Sequence, residues 1–207
     1  MYQDEWNNVA KGVNFNLEID LHRFSNKVSS ESRILDFGCG YGCIIKQLWD
    51  NGYKNIAGVD SSAKMIERGN IQYPYLELSL VSGNTLSIHD NSFDVVVVCA
   101  VFTCITSLEI RVAQFNEIFR ILKPNGLLHM VEFCAESSKE FTSEVGVPML
   151  HSSPNELRNL VNSMQVTHEE VVNTETLGGR KASSYSLFAR KSLNKSNIWD
   201  AVTDTPS

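Results

Sequence analysis

The sequence lacks any apolar run that approaches the roughly 20 residues of a bilayer-spanning helix, so no helical membrane anchor and no membrane partner are expected. It lacks a basic surplus as well: 18 lysines and arginines face 24 acids, for a net charge of −6, and the basic residues are scattered rather than striped. Proteins that grip nucleic acid through its phosphates carry a basic patch, so neither DNA nor RNA is expected as a partner. Cysteine is sparse and odd in number, five in 207 residues, with no pair at CxxC spacing. That pattern argues against a disulfide framework and against a structural zinc site, and no metal is expected. There is no internal repeat and no low-complexity tract. The opening residues put Asp4 and Glu5 where a secretory leader carries positive charge, with no apolar core after them, which predicts a cytoplasmic location.

What is present is the material of one globular domain. With 43% hydrophobic residues, a chain of this size buries roughly 70% of the surface its unfolded form exposes, and one domain is expected over residues 1–191. Short β-like runs alternate with helix-like stretches. Strands are predicted over residues 33–37, 56–59, 78–82, 93–99 and 127–133, with helices over 41–51, 61–69 and 108–122 between them. The run at 93–99 is continuously apolar, as in a strand buried on both faces. Lys123, Pro124, Asn125 and Gly126 read as a turn, because proline stops a helix and Asn-Gly tolerates positive φ. Ser153, Pro154 and Glu156 make a helix start, giving a helix over 154–163. Residues 166–174 and 183–189 then read as an antiparallel hairpin joined through Gly178 and Gly179. The expected fold is therefore α/β: a Rossmann-like, seven-stranded, mostly parallel sheet with helices on both faces and an antiparallel edge hairpin. Residues 192–207 read as a polar C-terminal tail.

The segment richest in chemistry is Asp36, Phe37, Gly38, Cys39, Gly40, Tyr41 and Gly42, between a strand and a helix. Glycines at alternate positions let the backbone approach a ligand closely, and the helix start beyond them offers unpaired N–H groups. The Gly-x-Gly-x-Gly spacing differs from the Gly-x-Gly-x-x-Gly of dinucleotide binders. Asp60 closes the second strand, where a carboxylate accepts hydrogen bonds from both ribose hydroxyls of a nucleoside.

Together with later segments of the chain, these residues resemble the class I S-adenosylmethionine-dependent methyltransferases, in particular their UbiE/type-11-like small-molecule group. Residues 36–42 resemble that family's first motif, and Gly58 to Ser62 its second-strand motif. Residues 90–96 resemble the entry to the fourth strand, and 119–128 the turn before the fifth. The resemblance covers residues 30–133. It implies S-adenosyl-L-methionine as cofactor, with Asp36 near its amino group and Gly38, Cys39, Gly40 and Gly42 under its methionine and ribose. It also implies Asp60 and Ser61 at the ribose, Met65 against adenine, and Gly83, Asn84, Thr85, Cys99 and Ala100 around the remainder. Two departures stand out. Asn84 occupies the place of a common aspartate, leaving its amide oxygen as the acceptor. Residues 101–104 lack the glutamate or paired histidines of many relatives.

The implied reaction is in-line displacement of a methyl group onto an O, N, S or C nucleophile, which asks mainly for alignment. Ligands bind outside the carboxyl ends of the strands in such sheets. The substrate wall is therefore expected at Phe102, Thr103 and Cys104, and in an insert over residues 134–165. Glu132 and His151 are the candidate bases. The N-terminal residues 1–30 are expected to fold over the cofactor as a helical lid carrying Tyr2 and Trp6. The acceptor is expected to be a small molecule or short peptide, with the oligomeric state unread. Two alternatives stay open. One is a non-catalytic S-adenosylmethionine-binding protein that serves as an interaction partner. The other is thiol-assisted metalloid methylation, using Cys99, Cys104 and Cys134.

Overall fold

The computed structural model describes residues 3–83 and 85–192. Tyr2, Asn84 and the proposed tail from residue 193 onward lie outside the described residues. The chain runs α1 (Gln3–Val9), α2 (Leu21–Ser25), β1 (Ile34–Phe37), α3 (Cys43–Asp50), β2 (Ile56–Asp60), α4 (Ala63–Gln72), β3 (Glu77–Leu80) and β4 (Phe93–Cys99). A short 3-10 turn (Phe102–Cys104) leads into α5 (Leu108–Ile121) and β5 (Leu122–Cys134). Then come β6 (Lys139–Thr142), β7 (Pro148–His151), α6 (Pro154–Leu160), β8 (Met164–Glu175) and β9 (Lys181–Lys191).

Seven strands form one sheet in the order β3-β2-β1-β4-β5-β9-β8, the first five parallel and the last two antiparallel to their neighbours. The fold class read from the sequence holds. Strand alternation divides the core into two layers. Leu35, Phe37, Val96, Val98, Leu128 and Met130 face α5 and α6, joining Phe115, Ile118, Ile121 and Leu157. Ile34, Val95, Val97, Leu127 and Val131 face the other way and join Phe24 of α2 with Ile44, Ile45 and Leu48 of α3. Helix starts follow local chemistry: Ser62, Ser107 and Ser153 each accept from a backbone N–H two or three residues into their helix, and Ser153 with Glu156 closes a capping box.

Three features depart from the sequence reading. The Lys123 to Gly126 turn is absorbed into β5 as a bulge, the pairing passing from Phe93 opposite Leu122 to Val95 opposite Leu127, with Asn125 at φ 63°. The residues ahead of β1 are not one helical lid. α1 and α2 are separated by a non-helical stretch, and α2, capped by Asp20, buries Phe24 completely beneath the sheet. The stretch before α6, where the sequence predicts no regular element, forms the β6–β7 hairpin.

Candidate cofactor and acceptor site

At the carboxyl ends of β1, β2, β4 and β5 the described residues enclose a cleft of about 290 Å³. Its floor is the turn after β1, where Gly38, Gly40 and Gly42 take φ values of 76°, 55° and 92°. A side chain at Gly38 would place Cβ 2.4 Å from a Val101 methyl, and one at Gly40 would place it 2.5 Å from the Phe15 ring. These two glycines thus admit both the loop after β4 and the N-terminal segment. Gly42 acts elsewhere, capping α3 and facing Ile45 and Leu78 rather than the cleft.

Asp36 is 1% exposed, lines the cleft, and leaves Oδ2 without a hydrogen-bond partner. Burial, and then the charge of Asp60, push its pKa up to about 7. Asp60 straps the floor together: Oδ2 accepts from Gly40 N–H at 2.9 Å and Oδ1 from Ser62 N–H at 2.7 Å. The Ser61 N–H bears on the same carboxylate, which lines the cleft with what acceptor capacity remains. Ser61, Met65, Gly83, Cys99 and Ala100 also line the cleft, Met65 fully buried and Ala100 strained into positive φ. Thr85 is exposed and lies outside the lining. Cys39, Cys43, Cys99 and Cys104 reach the cleft while Cys134 does not. Burial raises the pKa of each of the four, Cys43 to about 12, so they present neutral thiols as apolar wall. Among the described residues no group of three or more His, Cys, Asp or Glu side chains is arranged to hold a metal.

Glu132 corrects the sequence reading. Its carboxylate is fully buried and does not line the cleft. Oε1 accepts from the N–H groups of Val101 and Phe102, and Oε2 from the N–H and hydroxyl of Thr103, all between 2.7 and 3.0 Å. Burial raises its pKa, against the pull of these donors and of Arg111. Arg111, itself 5% exposed, grips the same turn from the other side through the Phe102 carbonyl at 3.0 and 3.2 Å. With every oxygen engaged in shaping the turn, Glu132 is an anchor and not a base. Phe102 is likewise corrected: it is 0% exposed within the core, while Thr103 and Cys104 do meet the cleft.

The mouth is built by three segments far apart in sequence. The first is the N-terminal stretch, where Trp6 meets Phe15 edge-on and Phe15 stacks on Tyr41 at 5.2 Å. It is tied to α4 by Asn7, which accepts from Ser62 Oγ and Lys64 N–H, and by Arg68, which donates to the carbonyls of Ala10 and Val13. Neither Asn7 nor Arg68 carried a sequence signal. The second is the β6–β7 hairpin. There His151 stacks on Phe133 at 5.3 Å and meets Phe141 edge-on at 4.8 Å. Burial, and then Lys139, lower the His151 pKa. The third is the β8–β9 turn, reached by Asn16 Nδ2 at the Glu175 and Thr176 carbonyls, with Arg180 paired to Glu144 at 2.8 Å.

The family described as "Methyltransferase domain" matches residues 35–130. Among curated proteins, a demethylmenaquinone methyltransferase of Thermotoga maritima is 28% identical over 55% of this chain and 48% of its own length. A sterol 24-C-methyltransferase of Aspergillus fumigatus is 32% identical over 49% of this chain and 28% of its own. The chain thus spans less than half the length of these curated relatives. A crystal structure of an S-adenosylmethionine-dependent methyltransferase from Methanosarcina mazei superposes with a TM-score of 0.78 at 25% identity, covering 86% of this chain and 100% of that one. The matched stretch begins one residue before Asp36, ends within β5 and carries the whole cleft floor, and it is a methyltransferase domain of the class I, S-adenosylmethionine-dependent kind.

Proposed function

We infer that this chain transfers the methyl group of S-adenosyl-L-methionine to a nucleophilic atom of a small molecule or short peptide. The observation that carries the reading is the pair of carboxylates at the ends of β1 and β2, Asp36 buried with an unpartnered oxygen and Asp60 half-buried beside it. An orphaned Asp36 oxygen suits a cationic amino group, and Asp60 stands at the cleft as an acceptor for a ribose hydroxyl. Met65 offers an apolar face to adenine, beside Ser61 and Gly83. When bound, the cofactor supplies an electrophilic methyl on a sulfonium. The chain's own contribution is alignment: its floor fixes the nucleoside and amino ends, and the turn held by Glu132 and Arg111 sets Thr103 and Cys104 against the space beyond. The neutral thiols and apolar walls keep water from competing as nucleophile.

Calorimetry with S-adenosylmethionine on the wild type and on Asp60→Ala tests this. Binding in the micromolar range should fall by at least tenfold in the variant, since each charge-assisted bond contributes about 1.5–3 kcal/mol. Absence of binding to a folded wild type would overturn the reading.

A further inference from the structure

The acceptor end of the cleft has a composition of its own. Its outer wall is aromatic: Phe133, His151 and Phe141 follow one another in face and edge contact, and all three line the cleft. Its charges are spoken for. Of the Asp, Glu, Lys and Arg residues lining the cleft among those described, Asp36 and Asp60 belong to the floor, and Glu144 and Arg180 pair with each other. A charged acceptor would therefore lose its hydration against this wall with no counter-charge to replace it. The wall also holds one proton acceptor. The His151 ring is fixed on two sides by aromatic contacts, and its nitrogens make no hydrogen bond with the described residues.

We propose, resting on the methyl-transfer reading above, that the acceptor is a flat, uncharged ring compound bearing a weakly acidic hydroxyl, laid against the Phe133–His151–Phe141 wall with that hydroxyl at His151. The acceptor oxygen bonds to the methyl carbon while the carbon–sulfur bond breaks and leaves its electron pair on sulfur. The hydroxyl proton passes to the imidazole and from there to solvent. Burial beside Lys139 keeps that imidazole neutral and able to take the proton. A phenol, with a pKa of about 10, lies within reach of such a base. An aliphatic alcohol does not.

The test uses the full chain saturated with S-adenosylhomocysteine and three probes of one skeleton: 2-naphthol, its saturated analogue decahydro-2-naphthol, and the anion 2-naphthoate. Calorimetry should show 2-naphthol binding about tenfold tighter than either other probe, as aromatic contacts of this kind provide. Phe141→Ala should remove that advantage while S-adenosylhomocysteine binds as before, and Phe141→Leu, which keeps apolar bulk without the flat face, should remove most of it. With S-adenosylmethionine, 2-naphthol should become its methyl ether. His151→Gln should lower kcat by roughly 10²-fold or more with KM within a few-fold. Equal binding of the three probes, preference for the anion, or a His151→Gln loss confined to KM overturns the proposal. Failure to bind S-adenosylhomocysteine at all overturns the methyl-transfer reading instead.

Discussion

On the methyl-transfer reading proposed above, Asp36 is the residue through which solution pH should act on cofactor binding. Its carboxyl is held near pH 7 by burial and by Asp60, so at neutral pH the protonated and ionised forms coexist. Only the anion pairs with an ammonium group. S-adenosylmethionine affinity should therefore climb between pH 6 and pH 8, by up to about tenfold per unit on the acid side, and calorimetry across that range reads it directly. Asp36→Asn should bind more weakly and show no such rise, whereas a flat wild-type profile would count against the role. Without ligand the sign for folding is opposite. A raised carboxyl pKa favours the native state most below the unfolded value of about 3.9, and that contribution is lost as pH climbs through about 7.

At the scale of single elements, the turn of residues 101–103 shows how a sequence position and a residue's role can part company. Glu132 was legible as a strand-end carboxylate, and strand ends are where ligands bind. What the sequence did not reveal is that three backbone N–H groups and a hydroxyl converge on it, with Arg111 behind. Contacts of that kind depend on the crossing of α5 over β4 and β5, which no local pattern encodes. The glycine turn and Asp60 were legible because their demands are local: positive φ, close approach, and a carboxylate two residues before a capping serine. The β6–β7 hairpin was not, since its strands are short, its exposed face polar and its pairing confined to itself. Glu132→Ala should cost at least about 3 kcal/mol of stability, because three buried N–H groups and a hydroxyl lose their acceptor, with Glu132→Gln intermediate because one oxygen acceptor remains. Chemical denaturation gives both values. A stable Glu132→Gln protein that binds cofactor normally yet fails to turn over would return Glu132 to the role of base.

Across the molecule, the same sheet that carries the site also carries an acid-sensitive centre. His129 on β5 is fully buried, stacked on Phe188 of β9 at 4.0 Å, with Nδ1 at the Leu187 carbonyl and Nε2 without a partner. Burial lowers its pKa to about 4. In the unfolded chain it titrates near 6.5, so stability is lost as pH falls from about 6.5 towards 4. Between pH 7 and pH 5 the wild type should lose about 2 kcal/mol more than His129→Gln. Urea unfolding at the two pH values measures the difference, and equal losses would place the acid sensitivity elsewhere.

The strand order has a consequence for how the protein comes off the ribosome. β1 to β5 can pair as they emerge, but β9 stands between β5 and β8, so β8 is made before β9, the strand it pairs with, exists. Until residues 181–191 are synthesised, β5 offers an open edge whose residues from Leu127 to Cys134 are all buried in the finished protein. The nascent chain passes through a stage in which a strand destined for the core is the exposed border of a half-built sheet. The Asn16 bonds to the turn after β8 wait on that same step, so the mouth of the cleft forms later than its floor.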